Sequence, residues 1–290
     1  AKRMIGRQPQ TIEVVEPLRD GVIADFDAAV AFLSYLVNLV SQLPSRWPRL
    51  LKPKAVIGVP SGITEVEKRA VKAAAETAGI GRVFLVEEPM AAAVGVGLAV
   101  NKPVGNLLID IGGGTTEIAV ISLGGIVLNR CLKIGGREMD EAIVNFVRLK
   151  YGVLIGRSTA EEVKIKIGSV ASSQSNQRMV VRGRDLETGL PKSIEIDENE
   201  VREALSPTIQ EIVANLNELL EETPPELTTD IAKRGIVLTG GCSQLKGMEE
   251  MVSEATKMPV WTAGNPMESV VRGCVKLLEN EKWLKQKTVL

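Results

Sequence analysis

The 290-residue chain contains no histidine and only three cysteines. Without histidine it cannot build a Ser-His-Asp triad, use an imidazole as general base, or offer imidazole ligands to zinc or non-haem iron. The cysteines, Cys131, Cys242 and Cys274, are odd in number, widely spaced and surrounded by apolar residues or glycine. We therefore expect a protein of the reducing cytosol without a disulfide framework.

The chain also lacks an excess of charge of either sign. Its net charge of −1 creates no global field that would attract nucleic acid, so we expect no nucleic-acid partner. Its first residues, AKRMIGRQPQ, lack the apolar run of a signal peptide. A charge-free stretch at 28–45 approaches the length of a membrane span. Its polar residues recur at helical spacing, however, which predicts an amphipathic helix packed on a soluble core.

Strands and helices alternate in the first part of the chain, which is the pattern of an α/β domain. Glycine-rich turns then join three strands so closely that these must be antiparallel neighbours. The first set of predicted elements is a strand at 55–60, a helix at 64–78, a strand at 83–86 and a helix at 90–99. The main later ones are strands at 106–110, 115–122, 126–134 and 235–239, and helices at 139–151, 198–222, 245–256 and 267–280.

The sequence LLIDIGGGTTE, residues 107–117, predicts a phosphate-binding turn between two strands. Apolar residues lead a buried strand to Asp110, and three glycines then turn the chain where the backbone must approach a ligand closely. Bare N–H groups in such a turn bind anions. Asp110 is placed to hold Mg²⁺ through water, and Thr115 adds a hydroxyl. An ordinary tight hairpin is the alternative, although three glycines exceed what a hairpin needs.

A second glycine turn, VLTGGCSQ at 237–244, ends a buried strand just before a predicted helix, whose N-terminus attracts anions. Such turns are common in α/β proteins, so this one alone is weak evidence for a ligand. It favours ligand binding because the same domain contains the first glycine turn. Two adjacent carboxylates, Glu87 and Glu88, precede another helix. They either complement the dipole of that helix, or they allow Glu88 to orient or deprotonate a water that attacks a γ-phosphate.

Further strings accompany these turns. They are EPLRDGVIADF at 16–26, EEPMAAAVG at 87–95, IGGREMDEAI at 134–143, YGVLIG at 151–156 and PPEL at 224–227. Together with DIGGGTTE and TGG they resemble the MreB family of bacterial actins, within the superfamily of actin, sugar kinases and seventy-kilodalton chaperones. DIGGGTTE alone would indicate only the superfamily, whereas the combination, which covers essentially the whole chain, is specific for the family.

The resemblance implies an α/β, actin-like ATPase fold with two α/β domains and a nucleotide cleft between them. Residues 1–103 would form the remainder of domain I and residues 104–290 domain II. Within domain II, residues 157–230 would be a smaller inserted subdomain, and the last helix would pack back toward domain I. The family's opening DLGT-type hairpin, its first phosphate loop, has no counterpart before residue 55. We therefore expect an N-terminally truncated member with an incomplete first domain and exposed sheet edges.

The resemblance also implies ATP with Mg²⁺ as the ligand and assigns roles to individual residues. Asp110, Glu88 and Thr115 would be the catalytic residues, with Glu88 and Thr115 positioning the attacking water and Asp110 holding Mg²⁺ through water. Gly112, Gly113 and Gly114 would complete the second phosphate loop. The ribose, base and adenosine contacts would come from Glu161, Glu162, Val163, Lys164, Gly240, Gly241, Cys242, Ser243 and Gln244.

Residues 46–54, RWPRLLKPK, alternate basic and apolar side chains. Such a loop can insert Trp47, Leu50 and Leu51 into a membrane while its cations meet anionic lipid, at about 1 kcal/mol per charge. Its position is similar to that of a membrane-touching loop in the MreB family. The alternative is that the apolar residues pack inward and the charges are solvated.

The resemblance implies a nucleotide-switched filament subunit with slow ATPase activity. It would polymerise with copies of itself, lie in the cytoplasm at the inner membrane, and set cell shape together with wall-synthesis membrane proteins. A truncated scaffold that does not hydrolyse nucleotide stays open, because the first phosphate loop is missing. A small-molecule kinase of the same superfold is the enzyme alternative, but residues 1–103 offer mainly Asp20, Asp25 and Asp27 and no evident polar pocket.

Overall fold

The computed structural model describes residues 4, 8–9, 11–42, 52–171, 177–280 and 282–284. The elements before residue 100 are β1 (Leu18–Arg19), β2 (Val22–Ile23), α1 (Phe26–Ser41), β3 (Lys54–Val59), α2 (Glu65–Thr77), β4 (Arg82–Glu87) and α3 (Glu88–Val96). The later strands are β5 (Asn106–Ile111), β6 (Thr116–Ser122), β7 (Gly125–Leu132), β8 (Val153–Leu154), β9 (Arg178–Asp185), β10 (Pro191–Asp197), β11 (Ile236–Thr239) and β12 (Val260–Thr262). The later helices are α4 (Gly136–Tyr151), α5 (Arg157–Ile167), α6 (Glu198–Glu222), α7 (Pro225–Arg234), α8 (Met248–Thr256) and α9 (Ser269–Glu279).

The predicted βαβ unit is confirmed by β3 and β4, which pair in parallel and are joined by α2. Thr64 caps α2 by accepting a hydrogen bond from the Glu67 amide, and the Glu67 carboxylate accepts one from the Thr64 amide in return. This capping box satisfies two N–H groups that a helix start leaves without partners. α3 begins at Glu88, two residues before the predicted start, and ends where Gly97 takes a left-handed conformation with φ of 91°.

A five-stranded sheet forms the centre of the later part of the chain, in the order β12-β11-β5-β6-β7. β5, β6 and β7 are antiparallel as predicted, and β11 joins β5 in parallel. Every residue of β5 and β6 is buried because both faces of the sheet are covered. Leu107 and Ile109 face the larger core, which includes α4 and α6, whereas Leu108 faces the core formed with α3 and α9.

A smaller three-stranded sheet has the order β10-β9-β8 and packs with α5 and α6. This sheet includes Val153 and Leu154, which come just before residue 157, where the inserted subdomain was predicted to begin. The predicted helix at 198–222 is confirmed by α6, with Asp197 as its N-cap. The helix α7 was not predicted. It begins in the PPEL string, where Pro225 occupies the first turn and therefore costs no helical hydrogen bond.

The helices α3 and α9 cross at two glycines with their backbones in contact. A Cβ atom added at Gly95 would overlap the Ser269 carbonyl oxygen and lie 2.9 Å from the Gly273 nitrogen. A Cβ atom added at Gly273 would overlap the Ala91 carbonyl oxygen. Lys276 of α9 strengthens the crossing by donating to the Gly95 carbonyl at 2.8 Å, near the negative end of α3. α9 also contacts β3 of the two-stranded β3–β4 sheet, and its Leu277 shares a core with Leu108 of the five-stranded sheet, so α9 lies against both sheets.

The prediction that the apolar face of the first helix packs on a core is wrong. Of the residues in α1, only Ala29 is buried. The apolar stripe is 40–61% exposed, and it consists of Phe32, Tyr35, Leu36, Leu39 and Val40. The helix packs against α2 on one side, and these larger residues lie outside that contact. No helix in the described ranges is long and apolar enough to cross a membrane.

Candidate functional site

The predicted phosphate turn joins β5 to β6 and is held in one shape by the chain itself. Asp110 lies near the end of β5, and the Gly112 amide closes the turn by donating to the Thr115 carbonyl at 2.8 Å. Gly113 is exposed, with no atom within 4 Å of where a Cβ would be. Thr115 is only 8% exposed. The turn therefore presents bare backbone to the space above the strand ends.

The start of α4 determines which way the amides of this turn point. The Gly136 amide donates to the Gly112 carbonyl at 3.0 Å, and the Arg137 amide donates to the Gly113 carbonyl at 2.8 Å. In a trans peptide the N–H group points opposite to the carbonyl. The Gly113 and Gly114 amides therefore point away from α4 and toward the open side of the turn. This is the arrangement that binds an anion such as a phosphate.

The second glycine turn lies directly against the first. Gly240 ends β11 with φ of 84°, and a Cβ there would be 2.6 Å from Asp110 Oδ1. The thiol of Cys242 lies 3.5 Å from the Gly112 carbonyl. Ser243 donates to the Gly240 carbonyl, so its hydroxyl stabilises the turn itself. Gly241–Gln244 form a short 3-10 turn, and α8 begins later than predicted, at Met248, because this turn takes the place of its first residues.

Helix α5 contributes one buried cation beside these turns. Lys164 is 7% exposed, donates to the Gly136 carbonyl at 2.6 Å and lies 2.7 Å from Asp140 Oδ1. Burial raises the pKa of the Asp140 carboxyl, and the Lys164 ammonium opposes that rise. Val163 is fully buried in the core of the larger sheet, and Glu162 pairs with Lys166 at the surface. Of the four predicted residues of α5, Lys164 is thus held against the start of α4, which also supports the first turn.

The buried carboxyl groups of Glu88, Asp110 and Glu117 interact electrostatically in this region. Burial raises the pKa of Glu88 to about 7, and the charges of Glu117 and Asp110 add to the rise. Burial also raises the pKa of Asp110 to about 6, although a hydrogen bond from Thr239 lowers it. These carboxyl groups lie close enough to interact electrostatically, so each would be stabilised as an anion by a nearby cation. Raised pKa values of this kind concentrate at functional sites.

The structure brings two further elements to the site that the sequence analysis did not assign. The hairpin of β1 and β2 turns at Asp20 and Gly21, and a Cβ at Gly114 would lie 3.3 Å from the Asp20 Cα. An Asp-Gly pair between strand-forming residues is a signal for this hairpin. Glu117, one residue beyond the threonines of the first turn, accepts hydrogen bonds from Ser61. That contact spans 56 residues, and no local pattern indicates it.

The predicted membrane residues Trp47, Leu50 and Leu51 lie outside the described residues.

Comparison with known proteins identifies the family. A model of the MreB/Mbl protein family matches residues 1–286. The cell shape-determining protein Mbl of Bacillus subtilis is 42% identical over 280 residues, which cover 97% of this chain and 83% of Mbl. The cell shape-determining protein MreB of Escherichia coli is 44% identical over 279 residues, which cover 96% of this chain and 80% of MreB.

Solved structures agree with this result. MreB5 of Spiroplasma citri bound to ADP has a TM-score of 0.91 and 36% identity, and the match covers 98% of this chain and 84% of MreB5. The same protein bound to AMPPNP has a TM-score of 0.88. The MamK double helical filament has a TM-score of 0.77 at 24% identity, covers 91% of this chain and 80% of MamK, and shows the fold alone. The predicted actin-like fold is confirmed, and the chain belongs to the MreB/Mbl protein family.

Proposed function

We propose that this chain is a cytoskeletal filament subunit that binds ATP, polymerises and helps set cell shape by organising wall synthesis. The observation that best supports nucleotide binding is the direct contact between the two glycine turns at the ends of β5 and β11. The family relatives MreB5 with ADP and MreB5 with AMPPNP support a nucleotide as the ligand. The names of the MreB and Mbl relatives support the role in cell shape.

In this proposal the phosphates bind to the amides of Gly113 and Gly114. Asp110 holds Mg²⁺ through water, which fits a buried carboxylate at a strand end that has other carboxylates nearby. The cation supplies charge neutralisation for the phosphates and for this acidic cluster. Glu88 and Thr115 position the water that attacks the γ-phosphate, and the raised pKa of Glu88 suits a group that accepts a proton near neutral pH.

The adenosine binds between the second turn and α5. Gly240 through Gln244 form the wall nearest the phosphate turn, supported by the contact of Cys242 with Gly112. Glu161 and Lys164 flank the ribose and base. The buried position of Lys164 between the two turns supports this assignment, because its ammonium is already held in place by Asp140.

The domain division follows from the same proposal. Residues 1–103 form domain I and residues 104–290 form domain II, with 157–230 as the inserted subdomain, and the nucleotide lies between the domains. The contact of α9 with α3 and β3 supports a last helix that packs back on domain I. Self-association into filaments is part of the proposal because the chain belongs to the MreB/Mbl family.

A single substitution tests the nucleotide part of the proposal. Replacing Glu88 with alanine is expected to leave ATP affinity unchanged and to lower phosphate release roughly a hundredfold or more, because a positioned base contributes about that factor. Affinity is measured with a fluorescent ATP analogue, and phosphate release and pelleting are measured with Mg-ATP. Glu254→Ala, an exposed glutamate of α8, is the matched control. Equal phosphate release by parent and Glu88→Ala rejects the role of Glu88, and absence of ATP binding by the parent rejects the proposal.

The membrane part of the proposal places the chain in the cytoplasm, peripheral at the inner membrane, near wall-synthesis membrane proteins. It is supported by the basic and apolar sequence at 46–54. We expect Trp47→Ser to lower co-sedimentation with anionic vesicles several-fold, because an inserted aromatic side chain would be lost. Trp261→Ser, a change at a partly exposed tryptophan of β12, is the matched control. Equal pelleting of Trp47→Ser and the parent would assign Trp47 a structural role only.

A further inference from the structure

A buried carboxylate links the turn after β3 to the strands that form the phosphate turn. Glu117 of β6 is 1% exposed and accepts a hydrogen bond from the Ser61 amide at 3.2 Å. The Ser61 hydroxyl also donates to Glu117 Oε2. Asn129 of β7 completes the chain of donors, because its Nδ2 donates to the Ser61 hydroxyl oxygen at 2.9 Å. We call this Asn129–Ser61–Glu117 chain the carboxylate bridge.

The bridge joins two parts of the chain that lie 56 residues or more apart in sequence. Ser61 follows the end of β3, whereas Glu117 and Asn129 lie on neighbouring strands of the five-stranded sheet. Asp110 of β5, which comes just before the phosphate turn, pairs with Glu117 of β6, which accepts the hydrogen bonds of the bridge. A carboxylate this buried is stable only when hydrogen bonds replace its lost water, and the serine provides two of them.

Glu88 lies next to the end of β3 that the bridge contacts. Val59, at the end of β3, pairs with Glu87 at the end of β4, and Glu88 comes next in the chain. The Glu88 side chain also lies against the preceding residue of β3, since a Cβ at Gly58 would be 3.3 Å from Glu88 Cγ. A displacement of the Ser61 turn would therefore move the support on which Glu88 rests.

We propose that Glu117 is a positioning residue, which acts through Ser61 to hold the end of β3, and with it Glu88, at a fixed place relative to the phosphate turn. Glu117 does not touch the nucleotide in this proposal. Its function is to transmit the position of β6 to the β3–β4 pair, so that the attacking water and the γ-phosphate are aligned. The expected change in kcat rests on the proposed ATP hydrolysis. The expected change in the position of the end of β3 does not.

The kinetic test uses Ser61→Ala, Ser61→Thr and Glu117→Gln in the full chain with Mg-ATP. Ser61→Ala and Glu117→Gln are expected to lower kcat about tenfold with the affinity for a fluorescent ATP analogue unchanged within twofold, because alignment is lost but binding contacts stay. Ser61→Thr keeps the hydroxyl and is expected to restore kcat. Ser253→Ala, which removes a serine hydrogen bond in α8, is the control. A parental kcat in Ser61→Ala, or a loss of affinity equal to the loss of kcat, overturns the proposal.

Hydrogen exchange at single amides gives a readout that does not need turnover. In Glu117→Gln the amides of Ser61 and of residues 86–88 are expected to exchange at least tenfold faster, while the amides of α8 keep their rates. Unchanged rates at 86–88 overturn the proposal even if the parent fails to hydrolyse ATP. Faster exchange throughout β6 also overturns it, because Glu117 would then only stabilise its own strand. If Glu117→Gln shows the local exchange effect and the parent releases no phosphate, the proposed hydrolysis is rejected and the bridge is retained.

Discussion

Replacing Gly273 with alanine is expected to destabilise the protein by about 4 kcal/mol, although alanine is the better helix former. The new Cβ atom would overlap the Ala91 carbonyl oxygen and lie 2.5 Å from the Ala91 carbonyl carbon. Both are backbone atoms inside α3, so no flexible side chain can move aside, and the two helices must separate. Overpacking usually costs about 1–3 kcal/mol, and a clash between two backbones should exceed that range.

The measurement is the thermal unfolding midpoint, which should fall by roughly 8 °C or more for a chain of this size. Gly264→Ala is the matched control, because no atom lies within 4 Å of where its Cβ would be. The control is expected to stay within about 0.5 kcal/mol of the parent, as surface changes usually do. A Gly273→Ala variant as stable as Gly264→Ala would mean that α3 and α9 are not in backbone contact in solution.

Replacing Lys164 with methionine is expected to cost about 3–5 kcal/mol of folding stability, because it removes one partner of a buried ion pair and leaves the other uncompensated. Lys164 lies 2.7 Å from Asp140 Oδ1, and both residues are buried. The control on the same helix is Lys166→Met, which removes an exposed pair with Glu162. Exposed pairs of this kind contribute roughly 0–1 kcal/mol. Urea unfolding of both variants measures the difference.

The pH dependence of the Lys164→Met variant identifies the cause of its instability. Burial already raises the pKa of Asp140 in the folded state, and removing the lysine raises it further. The folded state then keeps a proton that the unfolded state has released, so the variant loses stability as pH rises above about 4. We expect a smaller deficit at pH 5 than at pH 8, and partial recovery when Asp140→Asn is added. An equal deficit at both values would indicate lost packing instead of an unpaired charge.

The glycine turns could be predicted because their signals are local. In LLIDIGGGTTE the apolar run, the strand-end aspartate and the three glycines lie within eleven residues, and the structure has β5, the turn and β6 there. The helix α6 was predicted for a similar reason, since one apolar stripe runs along its whole length. The 3-10 turn at Gly241–Gln244 was missed because its shape depends on contact with the first turn.

The environment of other residues is set by distant parts of the chain. Ala160, Val163 and Ile167 form an apolar stripe at helical spacing that packs into the larger core, and that spacing was a usable signal for α5. The prediction for α1 was wrong, because its apolar stripe faces outward. Periodicity reports that a stripe exists, but it does not report which neighbour covers it.

The sequence by itself determined the α/β class, the family resemblance, the strand–turn–strand unit at Asp110 and the second turn at Gly240, because backbone preferences and side-chain periodicity act over a few residues. Only the tertiary structure decided that these turns touch, that Lys164 is buried beside them, and that Glu117 holds Ser61. Contacts across 56 or 130 residues depend on how sheets and helices pack, and no short pattern records that packing. The same reason explains the raised pKa of Glu88, since its burial and its acidic neighbours come from separate elements.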